Sequence, residues 1–362
     1  MVDILELSDG TITPYFLAQG EQAPEATANR LADFIDRAKH SLDIAVYDFR
    51  LSDPLKEIVA GALARRAARG VAIRIAYDSD KPEMPQMERG MDPAPSGTGA
   101  LVRSLGYPYR RIGGLKLMHH KYVVRDAGTP RAAVWTGSTN LTDDSWTLQE
   151  NNIVVLDSPR IAAAFHEDFE DLWTNRTIEE SGSFDPPPAT LRYGDAPATV
   201  HLLFSPGRGP AIDFDVARHV AQARRRVRIC SMLLNSGALL AALSDQLYLG
   251  QVAVDGIYDQ TQMEDVLVQW QQVPHNHWKI GAVRSIVEQA RLVGKHSTHY
   301  SPDSPHDFMH NKVLVVDDTV ITGSYNFSRS AELNAENILL IESPAFAETY
   351  SRYIDHLMAK YG

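Results

Sequence analysis

The chain has 362 residues, 44% hydrophobic and 22% charged, with a formal net charge of −11 and a single cysteine, Cys230. That length suits two domains, and the composition suits a globular protein rather than a disordered one. The acidic balance argues against a broad basic surface that grips nucleic acid without specificity, and one cysteine excludes an internal disulfide or a cysteine-built zinc cluster.

The opening residues, Met1-Val2-Asp3-Ile4-Leu5-Glu6, lack the positive charge and apolar run of an export signal, so a cytoplasmic location is expected. A helix ending Phe34-Ile35-Asp36-Arg37-Ala38 runs into a strand, Leu42 to Tyr47. A helix from Pro54 to Ala68 and a strand from Val71 to Asp78 follow. Lys81 to Thr98, rich in Pro, Gly and Met, reads as a long loop near the site, with Met84, Met87 and Met91 as candidate lipid contacts. Basic residues Arg103, Arg110, Arg111 and Lys116 then lead to the run His119-His120-Lys121-Tyr122-Val123-Val124-Arg125-Asp126. After a hairpin come Gly137-Ser138-Thr139-Asn140 and Glu150. A strand, Ile153 to Leu156, leads to Ser158-Pro159 and a helix whose face carries Phe165, Phe169, Leu172 and Trp173.

The same order then repeats. Helix residues Val220 to Ala223 run into the strand Val227 to Cys230, and Val252 to Asp259 answers Val71 to Asp78. The apolar stretch Ser231 to Leu243 is too short to span a bilayer. Lys279, Arg284, Arg291 and Lys295 form a second basic approach, the last three placed on one helix face. His310-Asn311-Lys312-Val313-Leu314-Val315-Val316-Asp317 repeats the motif 191 residues after the first. Gly323-Ser324-Tyr325-Asn326, Glu336, the strand Ile338 to Ile341, and a Ser343-Pro344 helix with Phe346, Tyr350, Tyr353, Ile354 and Leu357 complete it. Residues 181–198, which hold Pro186-Pro187-Pro188, read as a linker between a first half, 1–180, and a second, 199–362. Alternating strands and helices make each half an α/β unit.

Period two puts His119 and Lys121 on one face of a strand, and His310 and Lys312 likewise. Two imidazoles, two ammonium groups and two amides (Asn140, Asn326) match a tetrahedral phosphate. The lysines and asparagines stabilise non-bridging oxygens; one imidazole attacks phosphorus and the other protonates the leaving oxygen. Counting twelve residues on from Ser138 and Ser324 reaches Glu150 and Glu336, which are expected to orient the rings. Ser138 and Ser324 support the phosphate, and Asp126 and Asp317 brace the hairpins. His120 points to the opposite face. His275, His277, His296, His299 and His306 match no familiar metal-ligand spacing, so no metal site is expected.

These motifs resemble the phospholipase D superfamily over nearly the whole chain. The resemblance implies two α/β/α sandwich halves about a pseudo-twofold axis, a phosphohistidine intermediate, and no metal or other cofactor. It also implies His119 as nucleophile and His310 as general acid. With both motifs in one chain, an oligomer is not required. The first expectation is a nuclease acting on DNA or RNA, with the basic approaches guiding the polyanion. Tyr107, Tyr109, Trp146 and Tyr325 are candidate stacking residues. The alternative is a phospholipase D or phosphatidyltransferase acting on phospholipid, and a third is a catalytically silent phosphate-binding protein.

Overall fold

The computed structural model describes residues 8–78, 95, 97–301 and 304–362. The opening hexapeptide and all but Pro95, Gly97 and Thr98 of the Lys81–Thr98 loop, including Met84, Met87 and Met91, lie outside the described residues.

In the first half the elements are β1 (Thr11–Leu17), α1 (Pro24–Asp36), β2 (Ser41–Val46), β3 (Phe49–Arg50), α2 (Leu55–Ala67), β4 (Ala72–Asp78), α3 (Thr98–Leu105), β5 (Tyr109–Ile112), β6 (Lys121–Arg125), β7 (Ala133–Gly137), β8 (Leu141–Thr142), α4 (Asp143–Thr147), β9 (Asn151–Asp157) and α5 (Pro159–Asn175). Next come β10 (Ala189–Tyr193) and β11 (Ala196–Ser205). The second half continues with α6 (Gly209–Ala221), β12 (Arg226–Ser231), α7 (Gly237–Leu249), β13 (Ala253–Asp259), α8 (Gln260–Gln271), α9 (His277–Gln289), β14 (Val293–Lys295), β15 (Lys312–Val316), β16 (Thr319–Gly323), β17 (Glu336–Glu342) and α10 (Pro344–Tyr361).

One sheet runs through both halves in the order β14-β13-β12-β15-β16-β17-β11-β10-β1-β9-β7-β6-β2-β4-β5. From either edge the pattern repeats. Three parallel strands (β2, β4, β5 or β12, β13, β14) are joined by helical crossovers, and the antiparallel motif strands β6–β7–β9 or β15–β16–β17 follow. The mixed α/β fold with an internal duplication is therefore present. The segment read as a linker is not wholly irregular, because β10 pairs with both β1 and β11 and so closes the seam of the sheet.

Every residue of β6 and of β15 is buried, which explains their near-continuous apolar runs. One apolar cluster joins the halves through α5 and α10: Phe165, Phe169 and Leu172 from the first, and Phe346, Tyr350 and Ile354 from the second. Two further clusters cover the opposite faces, one beneath α1 and α2 and one beneath α6, α7 and α9. Helices thus lie on both faces of each half. Ser158 caps α5 by accepting from the Ile161 N–H at 3.3 Å, with Pro159 in the first turn. Among the described residues no helix is long and apolar enough to cross a membrane.

Candidate active site

The two motifs meet where the halves interlock. His119 precedes β6 and His310 precedes β15, and each backbone bridges to the other half, Met118 to Ala335 and Met309 to Glu150. Reciprocal side-chain bonds fix the same seam. Thr136 Oγ1 donates to Asn337 Oδ1 at 3.0 Å, and Thr322 Oγ1 donates to Asn152 Oδ1 at 3.0 Å. The pseudo-symmetric halves therefore hold each other's motif segments.

His119 Nδ1 lies 2.7 Å from Glu336 Oε2. The matching contact of His310 is to an amide: its Nδ1 lies 3.0 Å from Asn151 Oδ1. Asn151 donates through Nδ2 to the Ser145 carbonyl and to Gln149 Oε1, so its Oδ1 is an acceptor and His310 Nδ1 carries the proton. In both rings Nδ1 is the nitrogen engaged by the other half or its partner amide.

The strand register explains this asymmetry. Gly137 pairs with Ile153, and Gly323 with Ile338. Asn151 is therefore the structural counterpart of Glu336, and Glu150 is the counterpart of Ala335. Counting twelve residues from each serine puts the two halves one position out of step, because the first connection is one residue longer. Glu150 does not reach a histidine. Its carboxylate is buried against Lys295 Nζ at 2.5 Å, the Tyr361 hydroxyl and the Gln19 N–H.

Lys121 Nζ donates to the His119 carbonyl at 2.6 Å, and Lys312 Nζ to the His310 carbonyl at 2.5 Å, so each ammonium is folded back toward its own histidine. Burial is the main influence on all these groups. It brings Lys121 down to about 7 despite Glu336, Asp48 and Asp78, and Lys312 well below its ordinary value with help from Lys121. Both histidines are pushed well below the usual imidazole range by burial and by the two lysines. Burial likewise raises Glu336 to about 7, against Lys121, Asn334 and Ser324. A phosphate entering among these groups would recharge the lysines.

Asn140 and Asn326 each have a buried side-chain oxygen with no hydrogen-bond partner. Each lies two residues beyond a serine whose backbone contacts the other half's histidine, Ser138 with His310 and Ser324 with His119. The serine hydroxyls position the ring partners. Ser138 Oγ donates to Asn151 Oδ1 at 2.7 Å, and Ser324 hydrogen-bonds Glu336.

Asp126 and Asp317 lie at the far ends of the motif strands, both at positive φ (54° and 51°). Asp126 accepts the backbone N–H groups of Lys39, His40 and Ser41, and Asp317 those of Arg224, Arg225 and Arg226. They brace the turns entering β2 and β12 and do not reach the histidines. His120 faces away, with Nε2 3.1 Å from Asp168.

Sequence reading missed several neighbours. Asp78 accepts the Met118 N–H at 2.7 Å and Asp259 the Met309 N–H at 2.9 Å, holding the residue before each histidine. The repeated Tyr77-Asp78 and Tyr258-Asp259 pairs were the available signal. Tyr47 sets its ring 4.8 Å from that of His119 and 5.1 Å from Lys121 Nζ, and nothing in its pattern marked it. The basic approach is reduced. Lys295 is in β14 and 1% exposed, Arg291 lies past the end of α9, and Arg110 stacks on Trp173 at 4.8 Å. The expected helix face of Arg284, Arg291 and Lys295 does not exist.

The family model described as "Cardiolipin synthase, PLD-like domain" matches twice, over residues 31–173 and 216–358. Mitochondrial cardiolipin hydrolase of Xenopus tropicalis is 32% identical over 149 residues, 41% of this chain and 62% of that protein. Phospholipase D of Rickettsia prowazekii is 39% identical over 79 residues, 19% of this chain and 38% of that protein. The chain thus spans less than two thirds of the length of these relatives. Phosphatidylserine synthase of Haemophilus influenzae shares the fold, with a TM-score of 0.64 at 13% identity over 98% of this chain and 87% of that one. With two domain matches covering most of its length, the chain belongs to the phospholipase D superfamily.

Proposed function

We propose that this protein is a phosphodiesterase that cleaves phospholipid through a phosphohistidine on His119. The observation that carries the chemistry is the unequal pair of ring partners. When His119 Nε2 attacks phosphorus, an N–P bond forms and the ring becomes positive, and the Glu336 carboxylate on Nδ1 stabilises that charge. His310, held by a neutral amide, is the stronger acid of the two when protonated, and it gives its proton to the leaving oxygen as the P–O bond breaks. Water, or another alcohol, then loses its proton to His310 and attacks phosphorus, and the N–P bond breaks. Lys121, Lys312, Asn140 and Asn326 hold the non-bridging oxygens throughout. Glu150 takes no part.

Lipid is favoured over nucleic acid on three counts. Matched relatives are named cardiolipin hydrolase and phospholipase D. The net charge is −11. Two of the cations expected to guide a polyanion, Lys295 and Arg110, are engaged within the protein. A nuclease reading keeps one observation in its favour. Tyr300, 64% exposed, stacks on His306 at 5.3 Å, which stacks on Phe308 at 5.2 Å, two residues before His310, and such a column suits a base.

The test is cleavage in EDTA of headgroup-labelled cardiolipin and phosphatidylethanolamine vesicles, beside single-stranded DNA, duplex DNA and RNA. Headgroup release that His119→Ala abolishes is expected. Oligonucleotide cleavage with lipid untouched would replace the lipid reading. Loss of activity in EDTA, restored by a divalent cation, would overturn the metal-free route.

A further inference from the structure

A second polar cleft of about 640 Å³ opens beside the catalytic centre, between α6, α8, α9 and the chain that follows Asn326. The N–H groups of Asn235 and Ser236 both donate to the Phe327 carbonyl, at 3.1 and 2.8 Å, which ties the Asn235 side of the cleft to the chain that follows Asn326.

Its polar groups are unequally satisfied. Lys279 is committed: Nζ donates to the Asn235 carbonyl at 3.1 Å and sits 5.3 Å from the centre of the Trp270 ring. Arg329 is paired with Glu332. Asp213, by contrast, has a neutral hydroxyl, Ser236 Oγ at 2.5 Å, as its hydrogen-bond partner, and among the described residues Lys279 and Arg329 act on it only from beyond ion-pair distance. Asn235 Oδ1 is a buried acceptor without a partner. The Tyr325 hydroxyl is also unpartnered although the residue is 1% exposed, and it lies within electrostatic reach of Asp213, Glu332 and Arg329, which line the cleft. Burial raises Asp213 above the usual carboxylate range, and the Ser236 hydroxyl, Lys279 and Arg329 offset only part of that shift. The cations of the cleft, Lys279 and Arg329, are thus engaged, whereas Asp213 and Asn235 Oδ1 are left as open acceptors. Trp278, 53% exposed, supplies an aromatic face at the rim.

We infer that this cleft binds a small primary ammonium compound, with the ammonium donating to Asp213 and Asn235 against the Trp278 ring. A primary ammonium fills the open acceptors, whereas a quaternary one has no N–H to give. The distinction separates this cleft from a general cation trap. Identifying the ligand as the polar head of the substrate rests on the phospholipid reading, but the binding itself does not.

The experiment is isothermal titration of the full chain with ethanolamine, choline and inorganic phosphate. Saturable ethanolamine binding is expected, with choline weaker by about 10-fold or more. Asp213→Asn should weaken ethanolamine by about 10- to 100-fold, and Trp278→Ala, at a half-exposed position, by a smaller factor. His119→Ala should bind ethanolamine as the wild type does, which separates the cleft from the reaction. Absence of saturable amine binding would overturn the inference. So would ethanolamine binding that both cleft variants leave unchanged, or phosphate binding that depends on Arg329.

Discussion

His119 and Glu336 come from opposite halves of the chain and meet at 2.7 Å, whereas the same position opposite His310 is filled by the amide of Asn151. The pseudo-twofold is therefore broken at the atoms that set ring charge. Glu336→Gln keeps a hydrogen-bonding group and removes the charge. It should lower kcat by about 10²- to 10⁴-fold with little change in KM. Asn151→Asp restores symmetry and should shift the acidic limb of the pH–rate profile upward, because a carboxylate holds His310 protonated to higher pH. An unchanged kcat in Glu336→Gln would remove Glu336 from the mechanism.

Burial holds Lys121 at about 7, against its ordinary 10.5. Between those values an unfolded chain binds this proton and the folded protein does not, so the Lys121 contribution to stability rises with pH from about 7 to 10.5. Glu336, raised from 4.5 to about 7, works the other way: the folded protein binds the extra proton, and its contribution falls as pH rises from 4.5 to 7. A bound anion favours the charged lysine. Phosphate binding at pH 8 should therefore take up protons, read as a dependence of the titration heat on buffer ionisation enthalpy. Zero uptake, or release, contradicts this electrostatic picture.

Lys295 and Glu150 form an ion pair with both side chains at 2% exposure or less. Removing one partner leaves a buried charge, so Lys295→Met should cost about 3–5 kcal/mol in denaturant unfolding. Lys295→Met combined with Glu150→Gln should recover much of that loss and keep catalytic activity. A double variant that is stable but inactive would return Glu150 to the site.

Asp126 gathers three backbone N–H groups at the entry to β2 and sits away from the histidines. Asp126→Ala should destabilise the protein by about 1–3 kcal/mol while leaving kcat of the folded fraction within a few-fold. A specific loss of kcat at unchanged stability would move Asp126 into the chemistry.

The motif strands were legible because a duplicated pattern of His, Lys and apolar residues at period two admits few other readings. Glu336 was legible and Asn151 was not. Residue counting assumes equal loop lengths, and only the Gly137–Ile153 and Gly323–Ile338 pairings reveal the extra residue. Lys295 looked like a surface cation because its partner, Glu150, lies 145 positions away in sequence. Asp78 and Asp259 were visible as a repeated Tyr-Asp pair, but their task, holding the N–H groups of Met118 and Met309, depends on strand ends meeting in space. The cleft around Asp213 draws on four separate segments, and no local pattern joins them.

The assignment of nucleophile and acid can be separated by the leaving group. An alkoxide leaving oxygen needs a proton, and a p-nitrophenolate does not. If His310 is the acid, His310→Ala should lose about 10²- to 10⁴-fold on an alkyl phosphodiester but under about 10-fold in the first turnover of a p-nitrophenyl ester. His119→Ala should lose both equally, because no N–P bond can form. Alkaline quench of the p-nitrophenyl reaction, which spares an N–P bond, should trap phosphorus on His119 in His310→Ala, since the deprotonation of attacking water is also impaired there. Phosphorus found on His310 in wild type, with the rescue pattern reversed, would exchange the two roles. The Glu336 carboxylate would then raise the proton affinity of the acid instead of steadying the phosphorylated ring.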